Sequence, residues 1–497
     1  MKVSARPVLV LMIGRTLGSA VSFLVPLVLV RTFDQAEFGT YKQLFLVYFS
    51  LYGIAQIGMA ESLFYFVPLS PLEAGRCVWN SVLSLAGAGA LCLGLLCAIA
   101  ARVAAWLSNA EIAPRLPMIG GLLLFMLASS VLEIVLTSRK RFVWTSVAYA
   151  GSDVLKAALF VLPVLLFRRL DALLVGALVF GLTRCGAALL YLKREFGASL
   201  RPDATVLRRQ LSYAVPFGMA AAVAILESNF HQYAVSHLFD AATFAVYSVG
   251  CLQIPLVDLV AGSACNVMMV RMAEALRDGR EVSVVTAWRE TTRKLASVFF
   301  PFVGLLVVTA PELVRVLFTE RYAASVPIFV IWSITILLAV LQVDGVLRAY
   351  AETRFLLMMY VIKLALIAAS IGWLISELHL AGAVLATVLA IVVAKGLALA
   401  RIKARLRVPL SRLLPWSDLG RVGAAAGLAA AGAEAVRSRL TLPALPLLLA
   451  VAVAYALVYG ALWLLLDLGG RRARWALRRG AAQPIGGLLG AGEASPK

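Results

Sequence analysis

Apolar residues occur in this chain as long, nearly unbroken runs rather than as one face of an otherwise polar helix or strand. A helix of roughly 20 apolar residues crosses the hydrocarbon core of a bilayer. Fourteen such runs are present, at residues 8–30, 43–67, 81–101, 117–137, 145–167, 172–192, 211–236, 243–270, 295–318, 324–347, 355–376, 381–400, 419–436 and 443–467. The first run has no cleavage signal and continues through Val30, which indicates a retained span. The pattern predicts an all-α polytopic membrane protein with about 14 transmembrane helices.

The segments between these runs are short. The longest are residues 193–210, 271–294 and 401–418, and none could form a soluble domain. Acids and bases alternate along 271–294, which is typical of a solvated amphipathic helix. The tail from residue 469 is basic and then rich in glycine and alanine, so we expect it to be disordered.

Composition agrees with a membrane protein. Hydrophobic residues make up 62% of the 497 residues and charged residues only 14%, whereas an average soluble domain is roughly 45–50% apolar. Such hydrophobicity excludes a disordered chain. The net charge of +20 would suit a nucleic-acid binder, but the bases are thinly spread among apolar runs, so we expect no nucleic-acid partner.

The basic residues are distributed unevenly between the two sides of the membrane. With the N-terminus in the cytoplasm, 30 of the 46 lysines and arginines fall on the cytoplasmic side, 10 on the other side and 6 inside spans. Positive residues in short loops remain cytoplasmic. The bias predicts an even number of spans with both termini cytoplasmic, and it accounts for most of the net charge without any ligand.

An internal repeat divides the chain. Residues 33–41 and 239–247 lie 206 residues apart and are identical at five of nine positions, and an Arg-Phe pair precedes both span five and span eleven. Two six-span units share one orientation and are related by an axis along the membrane normal. The prediction is two six-helix bundles related by a pseudo-two-fold axis, at residues 1–200 and 201–410, an extra helix pair at 411–468 and a cytoplasmic tail at 469–497.

Three stretches carry a family resemblance. The residues that carry it are those at 29–41, those at 58–68, and those at 310–323, where Thr319 and Glu320 replace a usual glycine. The chain resembles bacterial polysaccharide flippases of the multidrug/oligosaccharidyl-lipid/polysaccharide (MOP) exporter superfamily over about residues 8–405. In having fourteen spans rather than twelve, the chain resembles the lipid II flippase branch of this superfamily and some polysaccharide exporters. The resemblance implies a transporter that moves a lipid-linked oligosaccharide.

Ionisable residues inside the spans are candidates for the transport site, because such residues usually face a partner or a wet cavity. Four cations could bind a diphosphate by charge-assisted hydrogen bonds: Arg15, Lys156, Arg184 and Lys363. Lys156 lies three residues after Asp153 on one helix face, so the two can also form a structural salt bridge. Both interpretations remain open at this point.

A second set of residues could couple transport to an ion gradient. Its members are Asp153, Glu227, His231, Asp258 and Asp344. Glu227 and His231 are four residues apart on one helix, so they could hold a proton or contribute to a Na⁺ site, or they could form a buried hydrogen-bonded pair. We expect no metal site, because the six cysteines are scattered without a CxxC pair, and we expect no cofactor.

The leading hypothesis is a flippase in the bacterial inner membrane that moves an undecaprenyl-diphosphate-linked oligosaccharide outward by alternating access. Its product would serve O-antigen, capsule or exopolysaccharide synthesis, and its partners would be membrane lipids, a polysaccharide polymerase and chain-length proteins. The sequence has no phosphate-binding loop motif for a nucleotide, so energy would come from H⁺ or Na⁺ or from consumption of the product. A cation-coupled multidrug antiporter of the same superfamily is the alternative. A membrane polymerase or ligase enzyme is disfavoured, because the outer loops hold no acid pair or histidine cluster and suggest no catalytic residues.

Overall fold

A computed structural model describes residue 18 and residues 21–480, without the side chains of 142 and 466–480, and this part of the chain is helical and contains no strand. The α-helices are α1 (Val21–Thr32), α2 (Gln35–Ala55), α3 (Met59–Leu69), α4 (Ala74–Trp106), α5 (Leu116–Ser129), α6 (Val131–Ser138), α7 (Phe142–Phe167), α8 (Leu170–Phe196), α9 (Ala204–Leu238), α10 (Ala241–Gly250), α11 (Pro255–Arg277), α12 (Glu281–Phe318), α13 (Val326–Leu338), α14 (Val343–Ala349), α15 (Thr353–Leu406), α16 (Leu410–Leu413), α17 (Trp416–Arg437) and α18 (Ala444–Gly480). Short 3₁₀ helices occupy Ala110–Arg115, Gly197–Ser199 and Glu320–Ser325.

The predicted spans are present as helices. Within the described residues, 11 helical segments are long and apolar enough to cross a membrane. One of them, α15, bends at His379 (φ 50°, ψ −133°) and therefore contains spans eleven and twelve. Helix α1 is the described part of span one, and α17 is span thirteen. The prediction of an all-α polytopic membrane protein with two six-helix bundles and an extra helix pair is confirmed.

Four spans that the sequence pattern predicts as continuous are broken into two helices. Span two breaks at residues 56–58, where Ile57 and Gly58 have φ values of 47° and 71°. Span four breaks at Ser130, span eight between α10 and α11, and span ten between α13 and α14. The breaks occur in the second and fourth helices of each bundle. The internal repeat is therefore visible in the helix geometry as well as in the sequence.

The two repeat segments begin helices rather than forming loops. Asp34 accepts a hydrogen bond from the backbone N–H of Glu37 (2.8 Å), and Asp240 accepts one from that of Thr243 (2.9 Å). These aspartates are N-caps of α2 and α10, which explains their identity at both positions. The two helices also contact each other: a Cβ added to Gly39 would clash with the carbonyl oxygen of Ala241. Only glycine allows this approach.

The predicted loop at 271–294 is a pair of helix extensions. Helices α11 and α12 continue through it, and only residues 278–280 separate them, with Gly279 at φ 69°. Trp288 on this extension is fully buried. The segment contributes a hydrophobic core outside the predicted span, in addition to the solvated face that its charges predict.

The hydrophobic core differs between the two ends of the molecule. At the end formed by the two repeat segments, here called the repeat end, one cluster joins Phe33 and Phe38 of the first bundle to Val314 and Tyr322 of the second. At the opposite end, here called the basic end because its loops carry most lysines and arginines, the buried apolar residues form two clusters. One surrounds Leu63 and Val131 of the first bundle and includes residues of α9, and the other surrounds Trp288 of the second bundle.

The extra helix pair packs on α12. Glu312, 2% exposed, accepts a hydrogen bond from Arg437 Nε at 2.9 Å, and the ring of Tyr455 lies against Gly304. An ion pair with a buried carboxylate thus connects α17 to the second bundle. The domain boundaries at 200/201, 410/411 and 468/469 stay predictions. Helix α9 follows the 200/201 boundary in sequence but packs partly on the first bundle, because its residues Val206 and Ala214 belong to the apolar cluster of that bundle.

Candidate translocation site

A buried ion pair lies at the break in the fourth span of the first bundle. Arg184 Nη2 is 2.7 Å from Glu133 Oε1, and the two side chains are 15% and 5% exposed. The same guanidinium donates to the hydroxyl of Ser129 (3.2 Å), directly before the break, and to that of Ser152 on α7. Arg184 therefore connects α6, α5, α7 and its own helix α8. Its charge is already neutralised by Glu133.

A second pair lies on α7. Lys156 Nζ is 2.7 Å from Asp153 Oδ1, and the side chains are 29% and 26% exposed. Asp153 also accepts a hydrogen bond from Ser22 on α1 (3.0 Å) and lies close to Gly18. The structure thus shows the salt bridge that the three-residue spacing allows. Both groups keep part of their surface accessible.

The second bundle holds a pair between two helices. Lys363 Nζ on α15 lies 2.8 Å from Glu227 Oε2 on α9, with side-chain exposures of 17% and 6%. His231, four residues after Glu227, hydrogen-bonds through Nδ1 to the hydroxyl of Tyr247 (2.6 Å) and contacts the ring of Trp332. The carboxylate and the imidazole therefore take different partners. This arrangement favours a buried, hydrogen-bonded role for His231.

Lys395 and Asp344 lie at the break in the fourth span of the second bundle. Lys395 Nζ donates to the backbone carbonyl of Leu341 at 2.8 Å, within the break between α13 and α14. Asp344, in the first turn of α14, accepts a hydrogen bond from Tyr360 (3.3 Å). A cation from the last helix of each bundle thus binds the broken helix next to it.

Asp258 marks a stripe on α11 that no described part of the chain covers. It lies one turn into α11, near the middle of span eight, and is exposed together with Gly262 and Asn266 at four-residue spacing. Exposed carboxylates are costly in lipid and usually face a wet cavity. This face of α11 is therefore a candidate lining for such a cavity.

The structure pairs every predicted site cation that it describes; Arg15 lies outside the described residues. Sequence reasoning did not place Glu133 or Lys395 in the site. A signal was available, because Glu133 precedes Asp344 by 211 residues and Arg184 precedes Lys395 by the same interval. This interval is five residues longer than the 206-residue offset of the repeat segments, so the equivalence appears only when the spans of the two bundles are aligned one by one.

The repeat end is closed by polar groups as well as by apolar ones. Gln43 on α2 donates to Ser236 on α9 (2.8 Å) and to the carbonyl of Leu107 (3.0 Å). Asn109 donates to Gln43 Oε1 (2.7 Å) and to Thr40 (2.8 Å). These hydrogen bonds hold the first bundle against α9 at this end. The charged pairs described above lie inside the spans, away from this hydrogen-bonded layer.

Solved structures of transporters share the fold. The lipid II flippase MurJ in an inward closed conformation matches with a TM-score of 0.69 and 12% identity, over 91% of this chain and 99% of that one. An inward-facing MATE-family multidrug transporter matches with a TM-score of 0.59 and 13% identity over 78% and 94%. A MOP superfamily transporter from Pyrococcus furiosus, described as having a binding pocket of reverse polarity, matches with a TM-score of 0.58 and 13% identity over 81% and 95%.

Helix order, paired bundles and charged interior together define a multi-pass membrane protein with the fold of these transporters. The family model described as "Polysaccharide biosynthesis protein" matches residues 28–327, which is more than half of the chain. The chain belongs to this family, and the predicted resemblance is confirmed. No sequence match was found among proteins of curated function.

Proposed function

We propose that the protein is a flippase that moves an undecaprenyl-diphosphate-linked oligosaccharide across the bacterial cytoplasmic membrane, for O-antigen, capsule or exopolysaccharide synthesis. The observation that carries this proposal is membership of the polysaccharide biosynthesis family over residues 28–327. The bundle arrangement supports alternating access: one apolar core joins both bundles at the repeat end, whereas at the basic end α9 packs on the first bundle and the core around Trp288 is separate. The basic end is cytoplasmic in this proposal, because positive loops stay inside.

The substrate diphosphate would bind the cations by exchanging ion-pair partners. Lys156 and Lys363 are held by Asp153 and Glu227, so an incoming diphosphate competes with a carboxylate for each ammonium. Protonation of the carboxylate releases the lysine to the phosphate oxygens. Proton uptake and substrate binding then favour each other, which couples transport to an ion gradient. Arg184 and Arg15 complete the proposed cationic set.

The remaining acidic residues are proposed to bind the coupling ion. Asp258 on its uncovered stripe and Asp344 beside Tyr360 are the proposed groups for H⁺ or Na⁺ in the second bundle, together with His231 beside Tyr247 and Glu227 in contact with Lys363. No cofactor enters this scheme. A polysaccharide polymerase and chain-length proteins are the proposed protein partners, since they would consume the exported glycan.

The test is export of lipid-linked glycan in a strain that lacks the gene. Glycan at the outer face should disappear, and the wild-type gene should restore it. Lys156→Ala and Arg15→Ala should each restore it less than half as well at equal protein level. Lys193→Ala, which removes an exposed charge at the end of α8, should restore it fully. Normal export in the deletion strain, with no second transporter present, would overturn the proposal.

A multidrug antiporter is the second candidate, and Asp258 is the observation that favours it. An uncovered carboxylate at mid-membrane suits an organic cation. In that case the deletion strain would become sensitive to lipophilic cations such as ethidium, and Asp258→Asn would not reverse the sensitivity. Unchanged sensitivity combined with lost glycan export excludes this candidate.

A further inference from the structure

A cavity of about 550 Å³ opens at the basic end, away from the interior of the bundles. One wall is the first three turns of α12, and the other is the linker that connects α15 to α17. None of the charged pairs of the translocation site lines it. The cavity therefore belongs to the surface of the second bundle where the extra helix pair is attached.

Three guanidinium groups line this cavity: those of Arg289, Arg293 and Arg412. Arg289 Nη1 donates to the backbone carbonyl of Arg412 at 2.9 Å, which fixes the linker against α12. Within the described part of the chain, no carboxylate lies in salt-bridge distance of any of the three. Guanidinium groups bind phosphate oxygens in pairs of hydrogen bonds. The wall thus offers unpaired donors suited to a phosphate ester.

Three carboxylates line the same cavity: those of Glu281, Glu290 and Asp418. Glu290 lies 3.4 Å from Arg271, whereas Glu281 and Asp418 contact no cation in the described region. A purely anionic ligand would meet repulsion from these acids. A ligand with both a phosphate and an ammonium group would pair with both sets.

Apolar surface adjoins the charged cavity. Val282 in its wall is 81% exposed. Leu410 lies in sequence between the lining residues Val408 and Arg412 and is 40% exposed, and Trp416 follows the lining residue Pro415 at the start of α17 and is 50% exposed. Exposed tryptophan is typical of the level of the lipid headgroups. Charged and apolar surfaces therefore meet at one border, as the headgroup and acyl chains of a phospholipid do.

We propose that this cavity binds the zwitterionic headgroup of phosphatidylethanolamine. The arginines take the phosphate, Glu281 and Asp418 take the primary ammonium, and the acyl chains lie along Leu410 and Trp416. The bound lipid connects α12 to the linker and so stabilises the attachment of the extra helix pair. This proposal is independent of the transported substrate.

Native mass spectrometry of the full-length protein, released from membranes of defined phosphatidylethanolamine and phosphatidylglycerol content, tests the phosphate side. Arg293→Gln combined with Arg412→Gln should lower the fraction that retains phosphatidylethanolamine at least tenfold. The control, Arg208→Gln combined with Arg277→Gln, removes two exposed charges at the same end outside the cavity and should retain lipid like the wild type. Equal retention in the cavity variant and the wild type would overturn the proposal. Elution as a single species verifies that each variant is folded.

The ammonium side has its own variant. Glu281→Gln combined with Asp418→Asn should reduce the preference for phosphatidylethanolamine over phosphatidylglycerol at least fivefold, because three arginines then face no acid except Glu290. An unchanged preference would overturn the zwitterionic assignment. Free phosphoethanolamine at millimolar concentration distinguishes a soluble ligand from a lipid. It should leave lipid retention unchanged; displacement of the lipid by it would contradict the lipid assignment.

Discussion

The two bundles treat equivalent charged positions differently. In the first bundle, Arg184 and Glu133 contact each other directly at 2.7 Å. In the second bundle, the residues 211 positions later are Lys395 and Asp344, and they take other partners: Lys395 binds the carbonyl of Leu341 and Asp344 binds Tyr360. Both cations bind the break in the neighbouring fourth span, but only the first does so within an ion pair.

The different partners of these charged residues suggest different roles for the two breaks. An arginine can hold a carboxylate and two hydroxyls at once because its guanidinium has five donors in a fixed plane, whereas a lysine has one compact ammonium group. The first bundle therefore has a fully paired break. The second leaves Asp344 bound by a neutral hydroxyl, which suits a group that exchanges a cation. We expect the first pair to govern stability and the second set to govern coupling.

Loss of the arginine in the first bundle should have the largest effect. Arg184→Ala leaves Glu133 buried without its cation, which costs about 3–5 kcal/mol. The free energy of unfolding, measured by denaturant titration in mixed micelles, reports this loss. Replacing Glu133 by Ala in the same protein should recover most of it. A single variant as stable as the wild type would show that the pair does not hold the break.

Glu227→Gln tests the pair that connects α9 and α15. The amide oxygen can still accept from Lys363, and the ammonium keeps 17% of its side chain exposed, so the expected loss is about 2 kcal/mol. Glycan export should fall by more than the loss of folded protein explains, because this pair belongs to the proposed coupling set. A decrease in export no larger than the decrease in folded protein would assign Glu227 a purely structural role.

Lys395→Met sharpens the contrast between the two breaks. It removes one hydrogen bond to a backbone carbonyl and leaves no buried carboxylate directly unpaired, so we expect a loss of about 1 kcal/mol. Amide hydrogen exchange along α13 and α14 should increase, while α5 and α6 stay unchanged. A destabilisation as large as that of Arg184→Ala would mean that the two breaks are held equally.

The two N-caps should give equal and small effects. Asp34→Ala and Asp240→Ala each remove one cap, which costs about 1 kcal/mol. Hydrogen bonds from the side chain and backbone of Thr243 lower the pKa of Asp240. The carboxylate therefore stabilises the fold above the unfolded-state pKa, and this contribution is lost as the pH falls below about 4. The difference between wild type and Asp240→Ala, measured by thermal unfolding, should shrink on acidification.

The sequence predicted the parts of the fold that depend on hydrophobicity alone. Runs of apolar residues locate the spans, and the shared Asp and Phe positions of 33–41 and 239–247 locate the repeat. The breaks at Ser130 and at residues 56–58 could not be read from hydrophobicity, because broken and continuous helices have the same composition. Only the contacts of the neighbouring helices show why a chain is broken there.

The sequence predicted most of the charged residues of the candidate site, but not all of the ion pairs that they form. Lys156 with Asp153 follows from helical spacing, since both lie on one face. Lys363 with Glu227 joins helices 136 residues apart in sequence, so it depends on how α9 and α15 pack. Helical spacing suggested His231 as the partner of Glu227 instead, and Tyr247 holds that ring in the structure.

The shared core at the repeat end has a thermal consequence. Phe33, Phe38 and Tyr322 are at most 1% exposed there, and separation of the bundles would bring them into contact with water. Hydration of apolar surface gives such an opening a positive heat capacity change. The population that is open at this end should therefore pass through a minimum as temperature rises, and a plot of the logarithm of the transport rate against inverse temperature should be curved rather than straight.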